Sequence, residues 1–317
     1  MRVLITGGAG FIGSHIVDYF MEKNEEVIVI DNLSSGRIEN IEKWLDNPNF
    51  KFHKADLTNP SSYAEMFSGV DIVFHYAANS EVRIGSQRPE DIWDNNIVAT
   101  YNVLEAMRKH NVKLIVFASS STVYGDQVNI PTPENSKLEP ISIYGASKLA
   151  GEALISGYVH TFKIRALIMR YANIVGSRLR HGVIYDFISK LKKNPEVLEI
   201  LGDGMQRKSY LYISDAIEAT MHALNKFMET EKMIEIYNVG NEDWITVKEI
   251  AEIVSKTMNL KPKLLFTGGV EGGRGWIGDV KLMLLDISKL KAIGWKPKLN
   301  CRDVIERATK DILELFE

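Results

Sequence analysis

Residues 1–15 read MRVLITGGAGFIGSH, and this stretch decides the fold. Residues 1–5 have the apolar run of a buried strand. Glycines follow at 7, 8, 10 and 13, and an apolar helical pattern begins at Phe11. A strand that turns sharply into a helix leaves backbone N–H groups free at the helix start. Those donors, with the helix dipole, attract phosphate. The opening therefore predicts a diphosphate-binding turn, and the rest of the chain must say whose diphosphate.

Working outward, short apolar runs alternate with amphipathic stretches. Strands are expected at 3–6, 26–31, 50–54, 71–76, 114–118 and 166–170, with helices at 11–23, 61–67, 92–110 and 143–161. This alternation predicts an α/β protein, with a parallel sheet covered on both faces. With the glycine turn on the first strand it becomes a doubly wound, Rossmann-type sheet. Past residue 170 turns and polar residues increase. Ser214 is expected to cap a helix over 215–229, with a strand at 235–239, a helix near 246–258 and a last helix from about 302. The expected division is 1–170 with about 210–240 as the dinucleotide-binding domain, and 171–209 with 241–317 as a smaller mixed α/β substrate lobe.

Composition narrows the classes. The 317 residues are 45% hydrophobic and 25% charged, as in an ordinary soluble globular protein. A net charge of −3 gives no electrostatic case for nucleic acid or an anionic membrane. No apolar run approaches the roughly 20 residues that cross a bilayer, and no signal-peptide pattern opens the chain. The single cysteine, Cys301, excludes an internal disulfide and fits a reducing, cytoplasmic setting. It is expected near the surface of the last helix. No His, Cys or acidic spacing suits a metal.

The glycine turn reads G-x-x-G-x-x-G through Gly7, Gly10 and Gly13. Asp31 ends the next predicted strand, 18 residues after Gly13. A carboxylate there accepts hydrogen bonds from ribose hydroxyls and repels a 2′-phosphate, which favours NAD over NADP. Asp56 and Leu57 follow the third strand and suit the adenine edge. Ala77 and Ala78 follow the fourth, where small residues let the backbone approach the ribose. Asn95, after Asp94, is expected to open the next helix.

In YGASK, Tyr144 and Lys148 stand four apart and share one helix face. An ammonium beside a phenol, with a nicotinamide cation close to both, draws the phenol pKa down from its usual value of about 10. Such a tyrosine takes a proton from a substrate hydroxyl while hydride leaves the same carbon. Upstream, FASSSTVYG places Ser119, Ser120, Ser121 and Thr122 at a strand end, where hydroxyls can bind the reacting oxygen.

Together, TGGAGFIG, Asp31, the serine-rich strand end and Y-x-x-x-K resemble the extended short-chain dehydrogenase/reductases. SSSTVYG, YGASKLAGE, RYANIVG and GDVKLMLLDISKLKAIGWKP resemble the UDP-glucose 4-epimerases and near relatives within them. The resemblance covers nearly the whole chain. It implies reversible inversion at C4 of a UDP-hexose, most simply UDP-glucose and UDP-galactose, with bound NAD regenerated each turnover; the alternatives are a sister epimerase for UDP-N-acetylhexosamines or UDP-glucuronate, or a sugar-nucleotide dehydratase. By position, Ser120 and Tyr144 would hold the substrate O4, with Thr122 beside them, and Lys148 would fix the nicotinamide ribose. Phe11, Ile12, Asn32, Asn95 and Tyr171 would complete the cofactor contacts.

Asn173, Arg274 and Asp279 match nucleotide-sugar contacts of the family, and an arginine fork suits phosphate. The family has an arginine then an acid before the aromatic of YLYISD. Here Lys208 and Ser209 stand there, with Arg207 one residue earlier, so either cation could bind the diphosphate. NSEVR, after Ala78, also departs from the better-known epimerases. Relatives that dehydrate or decarboxylate sugar nucleotides carry acids where this chain has Ser121 and Thr122, which favours epimerisation. A non-catalytic NAD sensor would have lost Tyr144 or Lys148. The family pairs helices 92–110 and 144–161 across a homodimer in a four-helix interface, and here these helices carry apolar residues on more than one face, Trp93, Tyr101 and Leu104 on the first and Leu154, Ile155 and Tyr158 on the second.

Overall fold

The computed structural model describes residues 1–316. Its centre is a seven-stranded sheet. The strands run in the order Ile234–Val239, Arg165–Tyr171, Leu114–Ser120, Ile72–His75, Arg2–Thr6, Glu26–Asp31 and Phe50–Lys54. The first strand pairs parallel with both Glu26–Asp31 and Ile72–His75, so that Thr6 stands opposite Ile30 on one side and His75 on the other. The strand order reverses across this point, and in such sheets ligands bind outside the strand ends where the reversal occurs. The strands form because their residues are apolar and buried on both faces: Val3, Leu4 and Ile5 have no exposure, nor do Val27, Val29 and Ile30. Leu4, Ile28, Val73, Ile115 and Ile168 share one core with Val103, Leu104, Met107, Ile155 and Val159 of the flanking helices. Each such side chain contributes about 1.5–3 kcal/mol of burial free energy.

Close packing divides the chain into two compact units. One holds Met1–Val123, Ile143–Arg170 and Thr220–Tyr237; the other holds Tyr124–Ser142, Tyr171–Ala219 and Asn238–Glu317. The expected boundaries differ from these at 124–142, 210–219 and 238–240. In the second unit Arg207–Lys208 lies between Ile245–Thr246 and Leu282–Met283, and Val197–Ile200 pairs with Lys263–Phe266. Helices Val183–Lys193, Val247–Thr257 and Cys301–Leu313 pack on one another there. A reciprocal capping box of Thr246 and Glu249 starts the second of these.

Several local expectations are corrected. The helix expected over 61–67 is two 3₁₀ turns, Pro60–Ser62 and Ala64–Phe67. Tyr63 breaks it, because its φ of −144° leaves the helical region while its hydroxyl donates to the Leu57 carbonyl. The helix expected over 92–110 is α-helical at Pro89–Ile92, π-helical at Trp93–Val98 and α-helical again at Ala99–Lys109. Ser214 is not a cap: the strand Tyr210–Tyr212 runs directly into the helix Ile213–Met228, with Ser214 in its first turn. Cys301 is fully buried as the first residue of its helix, where its sulfur accepts the Tyr210 N–H and burial pushes the thiol pKa up. Among the described residues, no helix is long and apolar enough to cross a membrane, and no cluster of His, Cys, Asp and Glu could hold a metal.

Candidate active site

The glycine turn is held by backbone contact that only glycine permits. Gly7 has a φ of +69°, and a Cβ there would lie 2.6 Å from the Ala77 nitrogen. A Cβ on Gly13 would lie 2.1 Å from the Gly7 carbonyl oxygen. The helix Phe11–Met21 starts at Gly10 with no side-chain cap and no acid in its first turn. The amides around Phe11 and Ile12 are therefore left to an outside acceptor, which suits an anion. Asp31 stands beside this turn and is 8% exposed. Its carboxylate accepts the N–H of Ala9 at 3.0 Å and of Leu33 at 2.8 Å. Burial raises its pKa, and the two amide bonds oppose that rise. This arrangement of glycine turn and carboxylate fits a dinucleotide.

Asn32 donates to the Asp56 carboxylate at 3.0 Å. Asp56 also accepts the hydroxyl and the N–H of Thr58, and the hydroxyl bond is the main cause of its lowered pKa. Leu57 is buried, and its carbonyl accepts Asn102 Nδ2 at 2.9 Å. Ala77 and Ala78 are half-buried. Asn95 is half-buried and donates to the Asp91 carbonyl at 2.8 Å. Its neighbour Asn96 is the buried one. Asn96 accepts the Asn79 N–H at 2.7 Å and donates to Ser147 at 2.9 Å. Asn96 lies within the π-helical turn, and nothing in the sequence spacing singled it out.

Ser120, Thr122, Tyr144 and Lys148 come together. The N–H and the hydroxyl of Thr122 both donate to Ser120 Oγ, at 3.2 and 3.0 Å. The Ser120 hydroxyl acts on Tyr144 as well, favouring its ionised form. Lys148 is 4% exposed; its Nζ donates to the Ala118 carbonyl at 2.8 Å and lies 5.8 Å from the Tyr144 ring centroid. The expected fall in the phenol pKa is not what the protein alone produces. Burial pushes Tyr144 up to about 12, against the Ser120 bond that lowers it. Burial also pushes Lys148 down to about 8, against the Glu152 carboxylate that raises it. Desolvation outweighs the ammonium at this distance, so acidifying the phenol needs a further positive charge.

Below Lys148 lies a buried pair that the sequence reading did not single out. Arg170 Nε and Nη2 donate to the two oxygens of Glu152 at 2.9 and 2.6 Å, and Ser119 donates to the same carboxylate. Glu152 stands four residues after Lys148 on the same helix, a spacing that could have flagged it.

The second unit carries its own charged cluster. Lys208 Nζ pairs with Asp279 at 2.5 Å and lies 5.4 Å from the Trp276 ring centroid. Arg274 forks onto Asp126 at 3.2 and 2.7 Å and also donates to the Asp279 carbonyl. Asn173 Nδ2 donates to the Ser209 carbonyl at 3.0 Å. Arg207 is exposed and turns instead toward Trp244, because neighbours on a strand face opposite ways. Tyr171 is buried at the end of its strand.

Comparison with known proteins extends this geometry. Residues 3–240 match the model of the NAD dependent epimerase/dehydratase family. A protein of Methanocaldococcus jannaschii, provisionally assigned as a UDP-glucose 4-epimerase, is 37% identical over 96% of each chain. A crystal structure of a UDP-galactose 4-epimerase is similar over 100% of both chains, at 47% identity and a TM-score of 0.90. The UDP-glucuronic acid 4-epimerase of Bacillus cereus, solved with UDP-glucuronic acid and NAD, aligns with 99% of this chain and 100% of its own. Its identity is 29% and its TM-score 0.89.

Proposed function

Because the chain belongs to the NAD dependent epimerase/dehydratase family, we propose that it inverts C4 of a UDP-hexose, interconverting UDP-glucose and UDP-galactose in the cytoplasm. The relatives support a UDP-sugar 4-epimerase as the general activity. The observation that carries the reading is the joined set of Ser120, Tyr144 and Lys148, with hydroxyls and not acids at the next positions, Ser121 and Thr122. Dehydration across C5 and C6 requires an acid and a base that these positions lack.

Bound NAD supplies reversible acceptance of hydride from C4. Gly7, Gly10, Phe11, Ile12 and Gly13 would hold its diphosphate, Asp31 and Asn32 its ribose, and Asp56 and Leu57 its adenine. Ala77, Ala78, Asn95, Lys148 and Tyr171 would take the remaining length. Tyr144 removes the O4 proton in one direction and returns it in the other, and Ser120 holds the same oxygen. Lys148 would bind the nicotinamide ribose, and it keeps positive charge near the phenol. The nucleotide must stay fixed while the keto sugar turns. Asn173, Arg274, Asp279 and Lys208 hold it, and Lys208 is favoured over Arg207 by its place beside Asp279 and Trp276.

The active form we propose is a homodimer. Trp93, Tyr101 and Phe162 are 57%, 47% and 38% exposed. Trp93 and Phe162 line a surface groove of about 610 Å³ together with Ala150, Ala153, Leu154 and Tyr158. A second copy of these helices would cover it.

The test is incubation of the purified protein, with no NAD added, with UDP-galactose, UDP-N-acetylgalactosamine and UDP-glucuronate separately, following C4 inversion by NMR. Conversion of UDP-galactose fastest supports the reading. Preference for the uronate, a sugar that the Bacillus cereus relative binds, would move the assignment to that substrate.

A further inference from the structure

His75 is 1% exposed at the end of the fourth sheet strand, and both ring nitrogens are engaged. Nδ1 lies 2.7 Å from Thr6 Oγ1 and Nε2 lies 2.9 Å from Thr100 Oγ1. The proton positions follow from the outer partners. Thr100 Oγ1 is 2.6 Å from the Asn96 carbonyl, which only accepts, so its hydrogen is spent there. Toward His75 it can only accept, and Nε2 must carry a hydrogen. Burial and the nearby Lys148 charge keep the imidazole neutral, with its pKa down at about 3. Nδ1 therefore accepts from the Thr6 hydroxyl. The Thr6 oxygen in turn accepts the Ala77 N–H at 3.3 Å.

The result is one directed chain from Ala77 through Thr6, His75 and Thr100 to the Asn96 carbonyl. Its ends matter. Ala77 is the backbone on which Gly7 packs. Asn96 lies in the π-helical turn, and its side chain ties Asn79 to Ser147, whose hydroxyl donates to the Tyr144 carbonyl. An apolar residue at 75 would pack equally well in a core, beside the Phe117 ring at 5.7 Å. A ring with two polar atoms, both matched, does more than fill space.

We propose that His75, held as the neutral Nε2–H tautomer, is a positioning residue that sets the glycine turn and the Ala77 loop against the Tyr144 helix. The proposal rests on the reading of these two elements as cofactor turn and catalytic helix. Breaking the Thr6 arm frees the Ala77 loop and loosens the cofactor. Breaking the Thr100 arm frees Asn96 and displaces the phenol.

Four variants and one spectrum test this. In protein carrying ¹⁵N-histidine, His75 should show hydrogen on Nε2 and a bare Nδ1, unchanged from about pH 5 to about pH 9. Thr6→Val should weaken NAD retention by roughly tenfold. Thr100→Val should lower kcat by roughly ten- to a hundredfold, with KM within about twofold and NAD retained. Thr6→Ser and Thr100→Ser, which keep the hydroxyls, should behave as the parent. A hydrogen on Nδ1, valine variants with parental NAD retention and kcat, or serine variants as impaired as the valine ones would each overturn the proposal. If the parent converts no UDP-sugar, the functional reading falls, while the tautomer and NAD retention still decide this one.

Discussion

Lys148 Nζ sits 5.8 Å from the centre of the Tyr144 ring and spends one hydrogen on the Ala118 carbonyl. The ammonium is thus anchored from below, one helical turn from the phenol that it serves. Both groups are desolvated, and in opposite senses: the lysine loses its proton more readily, the tyrosine less.

Stability should carry the mark of Lys148. Its folded pKa of about 8 lies below the ordinary 10.5, so between these values the unfolded chain binds more protons. Its contribution to stability is full above 10.5 and is lost as pH falls through about 8. Thermal unfolding of the parent and of Lys148→Met, compared from pH 7 upward, should show a difference that shifts in the parent's favour as pH rises. A pH-independent difference would contradict the burial of a titrating ammonium.

Glu152 and Arg170 should fail singly and tolerate joint replacement. Glu152→Gln leaves a guanidinium that is 2% exposed without its carboxylate partner. Each single change should cost about 3–5 kcal/mol, and replacing both by apolar residues should recover much of that loss. Urea unfolding of Glu152→Gln, Arg170→Met and Glu152→Leu with Arg170→Met measures the cycle. Simple additivity would show that the two do not act as a pair.

Asp31 should separate NAD from NADP. Asp31→Ala removes both the negative charge and the acceptor for the Ala9 and Leu33 amides. The expected outcome is weaker NAD binding by about 1–3 kcal/mol, with a smaller loss for NADP. Calorimetric titration of both dinucleotides reads this. Equal losses would limit Asp31 to a loop anchor.

Association should depend on the exposed apolar helix faces. Leu154→Asp places a charge in the groove lined by Trp93, Ala150 and Phe162. Light scattering should give twice the chain mass for the parent and the single-chain mass for the variant, since an unpaired buried charge is strongly disfavoured. A parent that is monomeric at all concentrations would exclude the dimer.

What could be read from residues alone was what rests on local pattern. The glycine turn, the acid ending the next strand and the four-residue spacing of Tyr144 and Lys148 each impose their geometry within a few residues, and the sheet follows from the alternation. Three features needed the fold. The π-helical turn Trp93–Val98 buries Asn96, and an inserted residue leaves no mark in an apolar repeat. The two-residue strand Arg207–Lys208 is too short to reveal which side chain faces Asp279. The balance of burial against charge at Tyr144 depends on what surrounds the ring, which spacing cannot give.

The central claim, that one phenol and its neighbours reverse C4 through a returned hydride, is tested most directly with UDP-galactose carrying deuterium at C4. The purified protein, with no NAD added, should yield UDP-glucose that keeps the deuterium at C4. Tyr144→Phe should stop the conversion while its bound NAD remains. Deuterium lost to water, or full turnover by Tyr144→Phe, would contradict the account.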